Sequence, residues 1–203
     1  MKFVVKQRHD GNSVNHPDYM GSYAFASDTA LKSVVFEEGF ETIPGSLFPS
    51  CTGIETLVLP STLTSIGHKS FDQNISLHSI DLTKCAGKVE LEESFNCYYT
   101  DKVNQLPKIT DCTFYLSDAS AIDKNQFGGI RYEHAVYAVT NGGTFAEGTV
   151  FEAGKLVEPQ KAGYNFKGWF TEDGTEVTDA DTLTAGTTYH AEWDEAVMSG
   201  NCG

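Results

Sequence analysis

The chain has 203 residues, of which 40% are hydrophobic and 12% aromatic, enough to build a real core and to exclude wholesale disorder. Its formal net charge of −14 repels phosphate backbones and anionic headgroups, so neither nucleic acid nor a membrane surface is an expected partner. No apolar run reaches the length of a membrane span, so no membrane insertion is expected.

The N-terminal stretch "MKFVVKQRHDG" carries too few apolar residues for a signal-peptide core. "FVVK" is strand-like but sits far upstream of the next apolar run, with "HDGNSVNHPDY" filling the gap. His9, His16, Asp10 and Asp18 lie close together there, but their order matches no known ligand spacing, and solvated surface positions are expected. The five cysteines, Cys51, Cys85, Cys97, Cys112 and Cys202, form no C-x-x-C pair and read as buried small hydrophobes.

From Leu31 a period emerges. "LKSVVF", "IETLVL" and "LHSIDL" begin at Leu31, Ile54 and Leu77, a constant 23-residue step, and each is apolar at its first, fourth and sixth positions. Met20, Ile43, Ile66 and Val89 keep the same step, and each precedes a phenylalanine: Phe25, Phe48, Phe71 and Phe95, the last slipped by one. A short strand cannot bury its apolar face alone, whereas stacked copies turn each apolar position into a column through the stack. Three strand columns result: Leu31/Ile54/Leu77, Val34/Leu57/Ile80 and Phe36/Leu59/Leu82, with the phenylalanines as a fourth on the return side. Cys51, Asn74 and Cys97 share the step and are expected to bond backbone at a turn.

The L-x-x-L-x-L spacing is that of a leucine-rich repeat, and "LPSTLTSIGHKSF" resembles the BspA type found in bacterial and protist surface proteins. Residues 54–77 match that pattern most fully; 31–53 carry "EEG" and "IP" where it has "LPS" and "IG", and 77–97 are looser. "CTFYLSDASAIDKNQFGGI" (112–130) reads as a final strand and a short helical turn capped near Ser117, closing the stack.

From about Tyr132 the register stops and the composition shifts. Residues 1–134 hold 17 acidic and 11 basic residues, whereas residues 135–203 hold 11 and 3. "AVYAVT", "GTVFEAG", "NFKGWF" and "TTYHAEW" read as strands between turns such as "NGG" and "EDGT". "NGGTF", the proline at 159, "GYNFKGWF" and "TTYHAEW" in that order resemble the Listeria–Bacteroides repeat, the internalin B-repeat type. The resemblance implies a β-grasp-like module acting as a cell-surface spacer or interaction unit. The closing "VMSGNCG" reads as a linker or the start of a further module, as in a piece of a longer secreted protein.

Tyr164, Phe166, Phe170, Trp169 and Trp193 would suit a sugar-stacking platform, but a module this small needs such side chains for its core, which is the expected role. The acids of "TEDGTEVTDADT" do not meet the calcium-loop order. No nucleophile elbow, phosphate loop or H-E-x-x-H motif is present, so no catalytic residue, cofactor or metal is expected. Surface recognition remains. Between the buried columns, Lys32, Ser33 and Val35, Glu55, Thr56 and Val58, and His78, Ser79 and Asp81 should face outward on the sheet side. Of these, Lys32, Val35, Glu55, Val58, His78 and Asp81 form the candidate interaction face.

The expected fold class is therefore mainly β with short helical turns: a short leucine-rich-repeat solenoid over 1–131 and a small β-grasp-like module over 135–193, with 194–203 as linker or the start of a further module. The expected function is non-enzymatic recognition of a protein or glycan on a host or neighbouring cell by a monomeric extracellular or cell-surface segment. The alternatives are a spacer holding another domain off the cell wall, or an accessory region of a secreted enzyme.

Overall fold

The computed structural model describes residues 2–5, 23–85, 87–95, 112–122, 135–178 and 181–197. These are mainly strands, with a single 3₁₀ turn, Ala119–Ala121, and a strand-rich repeat architecture. That turn is capped by Asp118, one position beyond the expected Ser117, through a bond from the Ser120 amide to its carboxylate.

The period becomes a stack of parallel strands. β2 (Ser33–Phe36), β4 (Thr56–Val58) and β6 (Ser79–Asp81) pair so that Val34 faces Leu57 and Leu57 faces Ile80. Every member of the three strand columns is buried. On the return side β3 (Thr42–Ile43), β5 (Ser65–Ile66) and β7 (Glu90–Leu91) form a second, three-stranded sheet. The phenylalanine column lies between them. Phe25, Phe48, Phe71 and Phe95 stack with centroid spacings of 4.8, 5.6 and 5.6 Å and planes within 13° of parallel. The ring spacing is close to the interval of roughly 4.7–4.9 Å between neighbouring strands, so the rings follow the rise of the stack.

The turns are equally periodic. Tyr23, Ser46 and Lys69 have φ of 68°, 54° and 56°, and Ser27, Ser50 and Gln73 have φ of 62°, 59° and 59°. Each coil thus turns through two left-handed non-glycine residues at the same places. The Ser/Thr-rich stretch bonds from one coil to the last: Ser61 donates to the Glu38 carboxylate, Thr64 Oγ1 to the Glu41 carbonyl, and Ser65 Oγ to Thr42 Oγ1. Gly53 is required by close approach, because a Cβ there would run into the carbonyl oxygens of Thr29 and Leu31. Gly53→Ala is expected to force two coils apart and cost roughly 1–3 kcal/mol. Equilibrium denaturation checks this, and an unchanged midpoint would rule out the tight contact.

Three places depart from the expected register. First, the "FVV" of that N-terminal run lies in β1 (Lys2–Val5), which pairs parallel with β2, Val4 opposite Val35, despite a separation longer than the period. Second, Ile66 pairs with Leu91 rather than with Val89, although Val89 is still buried, because the third return coil holds extra residues. Third, β8 (Cys112–Leu116) does not close the stack. It pairs parallel with β6 on one side and with β9 (Ala135–Val139) on the other. Phe114 lies opposite Tyr137, one full period on, so the register expected to stop near Tyr132 resumes in β9.

The sheet then continues through β12 (Thr188–Glu195), β10 (Tyr164–Thr171) and β11 (Glu176–Val177) to nine strands among the described residues. β9 and β12 are parallel, while β12–β10 and β10–β11 are antiparallel. Every residue of β8 and β9 is buried, because their two faces serve different cores. Cys112, Phe114, Leu116, Ala135 and Tyr137 belong to the repeat core. Tyr115, Val136 and Ala138 point to the other face, into a core with Phe145, Trp169 and Tyr189. Burial on both faces explains why these strands read as unbroken apolar runs rather than alternating ones.

Candidate functional site

Strand alternation fixes which side chains can meet a partner. On the face opposite the repeat core, register places Val4, Val35, Val58, Asp81, Tyr115 and Ala138 in one row across six strands. Ser33, Thr56, Ser79, Thr113 and Val136 form the neighbouring row. Lys32, Glu55 and His78 stand where the chain enters β2, β4 and β6, linked by backbone bonds from Glu55 N to Lys32 O and from His78 N to Glu55 O.

The C-terminal segment covers one end of this face. Tyr115 is fully buried, its ring 4.9 Å from Phe145 and 5.0 Å from Phe151. Its hydroxyl donates to the Lys155 carbonyl and accepts from the Val157 amide. The other end is open: Val58 is 49% and Val4 37% exposed, with Val35 half-buried between them. Three valines on adjacent strands thus make a narrow aliphatic strip ending against Asp81.

The charged groups are arranged around that strip. Lys32 Nζ lies 2.6 Å from Glu55 Oε1, and the ammonium's hydrogen bond holds the Glu55 carboxyl below its usual range. The pair is half exposed and fixes geometry more than it adds stability. His78 is half-buried, and desolvation lowers its pKa, with Glu55 opposing. Its Nδ1 lies 3.1 Å from Ser79 Oγ. Asp81 is raised by burial, although it accepts bonds from the Thr83 amide and hydroxyl.

Of the six candidate residues, Val35, Val58 and Asp81 lie in the outer row, and Lys32, Glu55 and His78 stand just before the strands; Lys32 and Val58 are exposed, and Val35, Glu55, His78 and Asp81 half-buried. Ser79, expected to face outward, is only 3% exposed, because its row runs on as Thr113 and Val136 beneath the C-terminal segment. Val4 and Tyr115 belong to the face as well, though the repeat spacing does not mark them. The signal for Tyr115 was present in "CTFYL": once Cys112, Phe114 and Leu116 are assigned to the repeat core, Thr113 and Tyr115 must point the other way.

The aromatic stretch does not form an open platform. Phe166, Trp169 and Trp193 pack in the second core, with Phe166 5.5 Å from Trp193 and 6.0 Å from Trp169. The indole N–H groups donate to the Val157 and Thr140 carbonyls. Tyr164 is 39% exposed but carries Lys161 Nζ 4.4 Å from its ring centre, and Phe170 carries Lys167 at 5.1 Å. A bulge at Gly168 lets Phe166 and Trp169 share a face despite their odd spacing.

His9, Asp10, His16 and Asp18 lie outside the described residues, as do Cys97 and Cys202. Among the described residues no three His, Cys, Asp or Glu side chains are grouped to hold a metal. In the acidic turn, Asp173 bonds Thr171 and Asp181 bonds the amide and hydroxyl of Thr178, so these carboxylates cap turns. Cys51 behaves as expected, Sγ donating to the Phe25 carbonyl at 2.8 Å. Asn74, on the same step, does not: its side-chain amide is buried with no hydrogen-bond partner among the described residues.

Burial raises the Cys51 pKa and pushes Cys85 up to about 11. Since the thiolate is the nucleophile, both should resist alkylation of the native chain at neutral pH and react on unfolding. Mass-spectrometric labelling checks this, and rapid native labelling of Cys85 would contradict its burial.

No helix among the described residues is long and apolar enough to cross a membrane. Comparison with curated proteins and with solved structures found no match to either. A family model, the BspA type leucine rich repeat region, matches residues 18–129 in six copies. Repeats of this type typically belong to bacterial surface or secreted proteins, are surface protein-interaction units and are generally non-catalytic. The match spans more than half of the 203 residues, and it agrees with the coil period, the phenylalanine column and the paired strands: the chain belongs to the BspA-type leucine-rich repeat family.

Proposed function

We propose that this chain is a non-enzymatic recognition segment of a cell-surface or secreted protein: a short leucine-rich-repeat solenoid whose open sheet face binds a protein ligand. The C-terminal segment is read as a β-grasp-like module of the Listeria–Bacteroides type. The observation that carries this reading is the open strip Val4–Val35–Val58, in register with Tyr115 and Ala138. The same row is covered at one end by apolar side chains of the chain's own C-terminal segment and left bare at the other. Bare aliphatic surface favours a protein ligand over a glycan, because glycan stacking needs open aromatic faces, and of the platform candidates Phe166, Trp169 and Trp193 are packed in the second core while Tyr164 and Phe170 are covered by lysines. Lys32, Glu55, His78 and Asp81 would supply polar complementarity around the strip, which raises specificity more than affinity.

The test is a binding screen of the intact chain against host-surface proteins and a glycan array, repeated with Val58→Asp. Binding to a protein, lost in the variant with its melting curve unchanged, supports the reading. Glycan binding alone, or binding indifferent to position 58, overturns it.

One observation favours a spacer instead. The nine-stranded sheet runs without a break from the repeats into the C-terminal segment, so the two parts are tied by hydrogen bonds rather than a loose linker. Rigid coupling suits a stalk, and clean negatives in both screens with the fold intact would select it.

A further inference from the structure

The turn Asn141–Gly142 lies just beyond the end of β9, and both residues are exposed. Their φ values are 51° and 87°, the doubly left-handed form that an Asn-Gly pair adopts readily. An asparagine followed by glycine is chemically labile in water, because no side chain shields the glycine nitrogen from the asparagine amide carbon. Here both reacting nitrogens are held. Gly142 N–H donates to the Ser117 carbonyl at the end of β8, at 3.1 Å. Asn141 Nδ2 donates to the Ala191 carbonyl of β12, at 2.9 Å. Around them, Lys161 Nζ donates to the Asn141 carbonyl at 2.8 Å, Trp193 Nε1 to the Thr140 carbonyl at 2.9 Å, and Thr140 N to the Leu116 carbonyl at 2.7 Å.

We propose that Asn141–Gly142 is a self-modification site, converted through a succinimide to isoaspartate at a rate set by how often the turn lifts off β8 and β12. In the reaction the Gly142 nitrogen attacks Asn141 Cγ. A new C–N bond forms, the bond from Cγ to Nδ2 breaks, and ammonia departs carrying the Gly142 proton. Water then opens the ring at either carbonyl, giving aspartate or isoaspartate. Ring closure needs the Gly142 nitrogen freed from Ser117 and Nδ2 freed from Ala191, so the reaction runs through a locally opened state. It is one-way. A carboxylate cannot donate to the Ala191 carbonyl, and isoaspartate adds a methylene to the backbone of the turn. Both products therefore lose the bond to β12, the isoaspartate form also loses the fit of its backbone to β8, and the junction between repeats and C-terminal segment loosens.

The experiment follows isoaspartate at position 141 by peptide mapping in the whole chain, incubated at mildly alkaline pH natively and in guanidinium. Native conversion should be at least about tenfold slower, the factor that an opening free energy of about 1.4 kcal/mol supplies. Lys161→Ala, which removes one holding bond from a surface position, should accelerate native conversion several-fold with the circular dichroism unchanged. Aged protein enriched in isoaspartate should melt lower than fresh protein. Equal rates in the two conditions would show that the turn is not held. No conversion in guanidinium would remove the site, and an unchanged melting temperature after ageing would overturn its effect on the junction.

Discussion

Phe71→Ala should destabilise the protein by roughly 3–5 kcal/mol, lowering Tm by about 6–20 °C at the roughly 2–4 °C per kcal/mol usual for chains of this size. Phe71 has no solvent exposure and is stacked on both faces, 5.6 Å from Phe48 and 5.6 Å from Phe95. A third ring, Phe36, meets it edge-on at 6.4 Å. Truncation therefore strips contacts from three aromatic neighbours. Collapse cannot repair the gap, because the spacing of Phe48 and Phe95 is set by the backbone bonds between coils, such as Phe48 N to Ser70 O and Phe71 N to Ser94 O. In a repeat array each coil is stabilised mainly by its neighbours, so a missing rung weakens two interfaces at once. Phe71→Leu, which keeps much of the volume, should cost less, about 1–1.5 kcal/mol. A loss below about 1 kcal/mol for the alanine variant would mean that the rings are not a shared column.

The repeats were legible because one physical requirement recurs without interruption. Every coil must present the same apolar positions to the same columns, and Leu31, Ile54 and Leu77 do so at a fixed step. The step fails wherever the chain between paired strands carries extra residues. Val4 pairs with Val35 and Ile80 with Phe114 across more than one period, because the length of chain between two strands costs little energy once their ends are close. The continuation into β9 was hidden for a different reason. "AVYAV" serves two cores at once, so neither the alternation of a half-exposed strand nor the repeat's leucines marks it. Alternation reaches Val35, Val58 and Asp81, which register places in one row, but not Lys32, Glu55 and His78, which stand before the strands begin. That the C-terminal segment folds back over Tyr115 and leaves only the β1–β4 end open depends on long-range packing, which no local pattern carries.

Tyr115→Ala is the second large effect expected, again roughly 3–5 kcal/mol, but with a different distribution from Phe71→Ala. Tyr115 belongs by backbone to a repeat strand, pairing with Asp81 and Ala138, while its side chain lies in the C-terminal core beside Phe145, Phe151 and Trp169. Its hydroxyl is the polar centre of that contact, accepting from Val157 N at 3.3 Å and donating to Lys155 O at 3.2 Å. Burial raises its pKa, so it stays a neutral donor at any physiological pH. Tyr115→Phe keeps the ring and removes the hydroxyl that serves those two backbone groups, a loss of about 1–3 kcal/mol. Tyr115→Ala removes ring and hydroxyl together and should free the 145–157 stretch from the sheet, while β8 and β9 remain paired through Phe114 and Tyr137, 6.0 Å apart. Hydrogen exchange should then report lost protection at Val157 and Trp169, with Leu57 and Ile80 unchanged. The parent should melt in one transition, because two strands are shared by both cores, and the alanine variant in two. Phe71 and Tyr115 share no ring partner among these contacts, so in the double variant their losses should add to within about 0.5 kcal/mol. Strong non-additivity would mean that the sheet transmits packing between the two cores, and a single transition in Tyr115→Ala would mean that β8–β9 pairing alone is enough to couple them.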